Sequence, residues 1–439
     1  MPHPVLGQGV PCPSERKQPR QDMIRRMATL MGGSVAGQLV SVLAAFALTR
    51  LYSPEAFAHL EMFALVTGIG AVLGTGKFEQ ALMLPKQEGA ARSLLWAGQR
   101  SVGYAAVLTA IIAWPTAAWV SREWALEQWS MVALFLPVFV AFAAHTRLLE
   151  YWHHRQANAG PVALANGGAP FAAESGKLAG SVMLPLSGLV WGSGLGLITR
   201  WAIMRRGLKE VCQSAGWRRS EPEPGTSKAH RDYPTWVLAG SAMNRLAQWL
   251  HVLLLGIALG PVLLGMLGLA RRTVMQPLSI LAASAAPVLF QSATEMADGA
   301  PLRRLFWKAL ATFAALSFMV WLVVMAAPDN TTAWLFGDQW FGVMEVVRLL
   351  VPWFALNFMT AGLGSMFHRV HRPRWITALD ALHLLAVGTG WWLGTLHPEW
   401  FGGGEWGALV GIVWAKCGYY LVNVTVLIFA VMTHGNADR

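Results

Sequence analysis

Two adjacent arginines, Arg271 and Arg272, interrupt a long apolar run. Ionised groups at membrane depth cost about 2.5–3.5 kcal/mol each, so they face a cavity or a partner. Guanidinium groups grip phosphate through a bidentate fork, which makes an anion site the functional expectation. The structural alternative is a pairing with Glu174, Glu79 or a helix C-terminus. The two arginines follow Pro261 by ten and eleven residues, about 15 Å down a helix. Neighbours on a helix point roughly 100° apart, so both reach a wide lumen but not one narrow seam. Arg245 is a third cation of the same kind. Lys77 and Glu79 fall at the inner end of the second hydrophobic stretch, where a lysine can snorkel to water. Glu174 and Lys177 have i, i+3 spacing and can neutralise each other or share a cavity. Asp380 and His383 share a helix face and suit a proton or cation relay, or a satisfied polar pair. Arg348 and Lys416 complete the set.

Such residues need a membrane to be unusual, and the composition provides one. Of 439 residues 55% are hydrophobic and 13% charged, half the charge of a soluble domain. Apolar stretches long enough to span fall at about 28–49, 56–83, 101–120, 130–148, 161–182, 186–204, 234–258, 261–290, 306–327, 343–366, 375–396 and 406–432. The expected fold is therefore all-α and integral to the membrane, with about twelve transmembrane helices. The fifth is the poorest by hydropathy, because it contains Glu174, Lys177 and several glycines.

Charge fixes the expected orientation. Every second connection is basic, from Arg25-Arg26 through Arg92, Arg155 and the run between Arg200 and Arg231 to Arg303, Arg304 and Arg372. The alternate connections hold only Arg50 and Arg122. That pattern places both termini in the cytoplasm. The net charge of +11 is the same basic bias, and nothing in the sequence calls for nucleic acid. Trp119, Trp124, Trp129, Trp334, Trp340, Trp400 and Trp406 read as an interfacial belt on the outer side. Cys12, Cys212 and Cys417 are far apart and read as free thiols, with no metal-ligand spacing and no cofactor motif. No nucleophile elbow or phosphate loop marks an enzyme.

The polar segment 205–233 lies near the middle of the chain and reads as a cytoplasmic linker. It separates residues 27–204 from 234–432, with tails at 1–26, expected to be disordered, and at 433–439. The halves rhyme. Ser34 precedes Pro54 by twenty residues, and Ser241 precedes Pro261 by twenty. Two six-helix lobes repeated in parallel are a transporter architecture, with the substrate path between lobes.

Several segments also resemble a known family. Leu48-Thr49-Arg50-Leu51-Tyr52-Ser53-Pro54-Glu55-Ala56-Phe57 and Phe78-Glu79-Gln80-Ala81-Leu82-Met83-Leu84-Pro85 look like the first outer turn and second helix end of Wzx-type lipid-linked oligosaccharide flippases. Asp232-Tyr233-Pro234, Gly268-Leu269-Ala270-Arg271-Arg272, Met275-Gln276-Pro277-Leu278 and Phe336-Gly337-Asp338-Gln339-Trp340 resemble the corresponding second-lobe segments. Their order covers about residues 27–375. The resemblance implies the multidrug/oligosaccharidyl-lipid/polysaccharide exporter fold. It implies transfer of an undecaprenyl-pyrophosphate-linked oligosaccharide to the outer leaflet of the bacterial cytoplasmic membrane, in polysaccharide or O-antigen (lipopolysaccharide) synthesis. The chain would act as a monomer among membrane lipids, with H⁺ or Na⁺ as a possible coupling ion. Alternatives are an ion-coupled drug or metabolite antiporter of the same superfamily and, from another class, a membrane polysaccharide polymerase or ligase.

Overall fold

The computed structural model describes residues 18–85, 87–123, 126, 128–156, 158–212, 223–296, 299–364, 366–369, 373–402, 404 and 406–433. These residues form twelve long helices. The first six are α1 (Gln18–Leu51), α2 (Pro54–Leu73), α3 (Glu88–Glu123), α4 (Trp129–Arg155), α5 (Ala159–Met183) and α6 (Gly188–Cys212). The helix Leu238–Ala270 is broken at Gly260, whose φ of 76° only glycine adopts freely. It divides into α7 (238–259) and α8, which runs from 261 through a π turn at Arg271–Met275 to Glu295. The last four are α9 (Ala300–Ala326), α10 (Val343–Leu363), α11 (Pro373–Leu396) and α12 (Gly407–Thr433).

Pro54 and Pro261 each stand in the first turn of the helix they open, where a missing N–H costs nothing. The chain is a multi-pass membrane protein. Eight helical stretches among the described residues are long and apolar enough to cross, one of them the 51-residue stretch that folds back at Gly260. Helices α5, α6 and α11 fall outside that set. All three belong to glycine-mediated pairs, which explains their weak hydropathy. A Cβ on Gly176 or Gly180 of α5 would lie 3.0 Å from the Cα of Gly192 or Gly188 of α6. A Cβ on Gly390 of α11 would lie 2.5 Å from the Gly411 carbonyl oxygen of α12. Small residues let helix backbones approach in a bilayer, where lipid supplies no hydrophobic drive between helices. The fifth–sixth and eleventh–twelfth helices thus pair by the same device.

Helices α1–α6 pack mainly on one another, through α1 on α5, α3 on α4 and α2 on α4. In the second set α7 packs on α11, α9 on α10 and α11 on α12. The main bridge between the sets is α2 against α7 and α8. At the end away from the termini a second bridge closes the molecule. The short helix Thr331–Phe336 and the turn Asp338–Trp340 lie against the α1–α2 corner. There Trp340 Nε1 donates to the Thr49 carbonyl at 2.6 Å, and Gln339 Nε2 donates to the Thr49 carbonyl and, at 2.9 Å, to that of Tyr52. The Phe57 ring meets Trp340 edge-on at 5.0 Å.

Several boundaries differ from the sequence reading. Helix α1 starts at Gln18 rather than near 28, because Pro19 in the first turn is tolerated and no breaker follows. Residues 1–17 of the expected disordered tail, 213–222 of the expected linker and 434–439 lie outside the described residues. The linker is shorter than 205–233, since α6 continues to Cys212 and Thr226–Ala229 is a helical turn. Helix α2 stops at Leu73 and not at 83. Gly76 and Lys77 have φ of 58° and 61°, which turns the chain before the short helix Phe78–Ala81. A left-handed lysine costs on the order of 1 kcal/mol. Trp340 and Trp129 are buried rather than belted at the interface, whereas Trp119, Trp334 and Trp400 are exposed there. Trp340 is withdrawn from the belt because its N–H closes the bridge described above. Trp124 lies outside the described residues.

Candidate functional site

The site starts from the crossing of α2 and α8. Gly265 of α8 lies against the Pro54 carbonyl, and a Cβ on Gly268 would sit 2.5 Å from Glu61 Cγ. No other side chain fits there. The close approach carries Glu61, seven residues after Pro54, across to α8. Its Oε2 accepts from Arg271 Nη1 at 2.7 Å, and its Oε1 lies 3.4 Å from Arg272 Nη2. The Arg271 guanidinium also lies over the Trp249 ring, 4.5 Å from its centroid, a cation–π contact. Two guanidiniums sharing one carboxylate leave one positive charge uncompensated within this cluster.

The π turn at Arg271–Met275 begins on this pair. Such a turn inserts a residue into the helical repeat and re-aims side chains. Arg272 lines a cavity of about 680 Å³ between the sets, formed by α1, α5 and α8. Arg271 lines a cavity of about 570 Å³ within the second set. Both line a junction of about 170 Å³ together with Glu61. The two arginines therefore stand where the cavities meet.

In the inter-set cavity Lys177 Nζ donates to Glu174 Oε1 at 2.8 Å, and Ser41 Oγ donates to the same oxygen at 3.3 Å. The Tyr52 hydroxyl donates to the Lys177 carbonyl at 2.6 Å. Nearer the termini a third cavity, about 260 Å³, is lined from both sets by Lys77, Arg147, Arg245 and Asp380. Glu79 is wholly buried behind it. It accepts from Arg147 Nε at 3.1 Å and from Thr75 Oγ1 at 2.5 Å, with Lys77 Nζ at 3.7 Å. Around these spaces Lys77, Arg147, Lys177, Arg245, Arg271, Arg272 and Lys416 face Glu61, Glu79, Glu174 and Asp380. Seven cations against four carboxylates make the path electropositive. Among the described residues no group of three His, Cys, Asp or Glu side chains could hold a metal ion.

The candidate residues from the sequence fall into three places. Arg271, Arg272, Glu174 and Lys177 meet at or beside the junction. Arg245, Lys77 and Glu79 gather near the terminal end. Asp380 and His383 line the cavity of the second set, but not as a pair. Asp380 accepts from Asn244 Nδ2 at 2.6 Å, and His383 stacks on Tyr419 at 4.2 Å. Lys77 does not snorkel: it is 3% exposed, held inward by its turn. Arg348 is not in the interior either, since it caps the α9 end through the Ala327 carbonyl at 2.6 Å and Asp329 at 2.5 Å.

The partner of the arginines is neither Glu174 nor Glu79 but Glu61, which the sequence reading passed over. A signal existed. Glu61 follows Pro54 by seven residues and Gly268 follows Pro261 by seven, so the repeat puts a carboxylate in one half opposite a glycine in the other. Arg147 and His251 were missed as well.

Twelve helices around an electropositive path, closed at one end, define a membrane transporter fold. Known proteins agree. Residues 221–345 match a family described as "Polysaccharide biosynthesis protein". The structure is similar to that of a multidrug resistance MATE family transporter of the MOP superfamily in its inward-facing conformation. The TM-score is 0.68 at 15% identity, over 91% of this chain and 96% of that one. An outward-facing structure of such a transporter gives 0.60 at 15% identity, over 95% and 97%. The lipid II flippase MurJ in its inward closed conformation gives 0.63 at 11% identity, over 93% and 90%. No curated protein matches by sequence. The chain thus has the fold of MOP-superfamily transporters and flippases, in agreement with the resemblance seen in its sequence.

Proposed function

We propose that the protein moves a lipid-linked oligosaccharide, joined through a diphosphate to undecaprenol, from the inner to the outer leaflet of the bacterial cytoplasmic membrane. The observation that carries this reading is the Arg271–Arg272 pair sharing the single carboxylate of Glu61 at the cavity junction. A diphosphate supplies the missing negative charge and matches the planar fork of each guanidinium. Lys177 and, nearer the terminal end, Lys77, Arg147 and Arg245 form a basic approach to it. The lipid tail has its own place. Along the α1 wall of the larger cavity Val42 and Phe46 are exposed, and Leu39 and Leu43 beside them are exposed to the bilayer. A tail can remain in lipid there while the headgroup occupies the polar space.

In this reading residues 27–204 and 234–432 are lobes that rock about the α2–α8 crossing, and the termini face the cytoplasm. The outer bridge through Trp340 is then the closed gate. Glu61 holds the arginines in the empty protein and yields one of them to the diphosphate. The positive alternation of the loops supports the orientation, and the family match at residues 221–345 supports a role in polysaccharide synthesis. Whether H⁺ or Na⁺ drives the cycle is open to a gradient-collapse assay.

The test is a complementation strain depleted of its own flippase. Arg272→Ala, inserted at the wild-type level, is expected to lose surface polysaccharide and to accumulate the lipid-linked intermediate on the cytoplasmic leaflet. Normal polysaccharide in that variant would remove the arginine pair from the mechanism. Drug resistance in an efflux-deficient host, with no polysaccharide defect on deletion, would point instead to an antiporter. Accumulation on the outer leaflet would point to a polymerase or ligase.

A further inference from the structure

The cavity of about 570 Å³ inside the second helix set is larger than a diphosphate requires. Its walls come from α7, α8, α10, α11 and α12. One part is aromatic, with Trp249, Trp353 and Tyr419 lining it. Another is amide, from Gln248, Asn357 and Asn423. Sugar rings offer apolar C–H faces and a rim of hydroxyls, and a few placed polar groups among aromatic walls are what a small-molecule pocket uses to orient such a ligand.

Lys416 adds a buried amine. It is 1% exposed, with Nζ 3.2 Å from His251 Nδ1 and 4.1 Å from the centre of the Trp353 ring. Among the described residues no carboxylate lies within 4.0 Å of it. The cavity's own acid, Asp380, is engaged by Asn244. A buried ammonium without a counter-charge is costly, and a ligand carboxylate would supply one through a charge-assisted hydrogen bond. His383 Nε2, on a side chain 4% exposed that also lines the cavity, has no hydrogen-bond partner among the described residues.

We propose that this cavity binds the saccharide of the cargo, and that the saccharide is acidic, with its carboxylate seated on Lys416. The proposal rests on the function given above. Arg271 lines both this cavity and the junction, so a diphosphate at the junction places its first sugar at the cavity mouth. Lys416 reads the charge, the amides read hydroxyls, and the aromatic walls take the ring faces.

The experiment uses the full chain in nanodiscs, with quenching of tryptophan fluorescence as the readout. The probes are a trisaccharide of glucuronic acid, the matching trisaccharide of glucose, and undecaprenyl pyrophosphate. The glucuronate probe should bind more tightly than the glucose probe. Lys416→Met should weaken the glucuronate probe about 10- to 100-fold, to the glucose level, and leave undecaprenyl pyrophosphate unchanged. Arg272→Gln should do the reverse. Asn357→Ala, which leaves every charge in place, should weaken both sugars and provides a second variant should Lys416→Met not fold. Equal binding of the two sugars, or glucuronate binding unaltered in Lys416→Met, overturns the acidic-sugar assignment. Failure of both sugars to bind while undecaprenyl pyrophosphate still binds overturns the pocket but not the proposed function. Failure of undecaprenyl pyrophosphate to bind the wild-type protein overturns that function itself.

Discussion

At the scale of single residues, the cluster of Glu61, Arg271 and Arg272 is the clearest case of one side chain holding two. Glu61 is 4% exposed, and removing its charge leaves two guanidiniums facing each other inside the helix bundle. Breaking a buried pair from one side costs about 3–5 kcal/mol, and here two cations are orphaned. Glu61→Gln is therefore expected to lower the unfolding midpoint in detergent by several degrees and to abolish transport. The double variant Glu61→Gln with Arg271→Gln should recover stability but not transport. A midpoint for Glu61→Gln equal to wild type would mean that the guanidiniums have another partner. In the sequence the pairing left only one trace, the matching seven-residue offsets of Glu61 from Pro54 and Gly268 from Pro261. The arginines stood out because charge in an apolar run is conspicuous. Glu61 did not, because it lies 210 residues from Arg271 and only the crossing of two helices joins them.

At the scale of elements, two contacts set the relation between the helix sets. The first is the glycine face of α8 against α2. Gly268→Val adds branched atoms where a single Cβ already meets Glu61 Cγ at 2.5 Å. It should push α2 and α8 apart and stop transport, with little effect on membrane insertion, as measured by surface biotinylation beside the polysaccharide assay. The second is the bridge through Trp340, at the end away from the termini. Trp340→Ala removes the bond to the Thr49 carbonyl and the edge contact with Phe57. Paired spin labels at Leu51 and Phe341, both exposed, should then show a broader and longer distance distribution than in wild type. An unchanged distribution would mean that the bridge does not hold this end closed. Helix number and order were legible because most spans are long apolar runs and the alternation of basic connections marks the rest. The end of α2 was not. Phe78, Ala81, Leu82 and Met83 extend the apolar pattern past Leu73, and the left-handed turn at Gly76 and Lys77 ends the helix before them.

At the scale of the whole molecule, the end away from the termini is bridged while the cavity near the termini is lined by both sets. Alternating access requires that this mouth close when the Trp340 bridge opens. Val72 and Ser241 line the mouth from opposite sets. Cysteines placed at both positions, joined by a short reducible thiol cross-linker, are expected to arrest transport, and reduction should restore it. Transport by the cross-linked protein would be incompatible with rocking of the two sets. The shared glycine pairing of α5 with α6 and of α11 with α12 fits sets that each move as a body.

The sequence alone determined the membrane class, the approximate spans, the side-to-side charge asymmetry and the presence of buried cations. Those properties are local: they depend on the water–lipid preference of each stretch, which a run of residues states directly. Tertiary structure decided which charges meet. It put Glu61 on Arg271 and Arg272, gave Asp380 to Asn244 rather than His383, and drew Trp340 from the interface into the bridge at the end away from the termini. Each of these depends on how closely two helices approach and at what rotation. Small residues such as Gly265 and Gly268 govern that approach, and in a linear sequence they carry no mark of their partner.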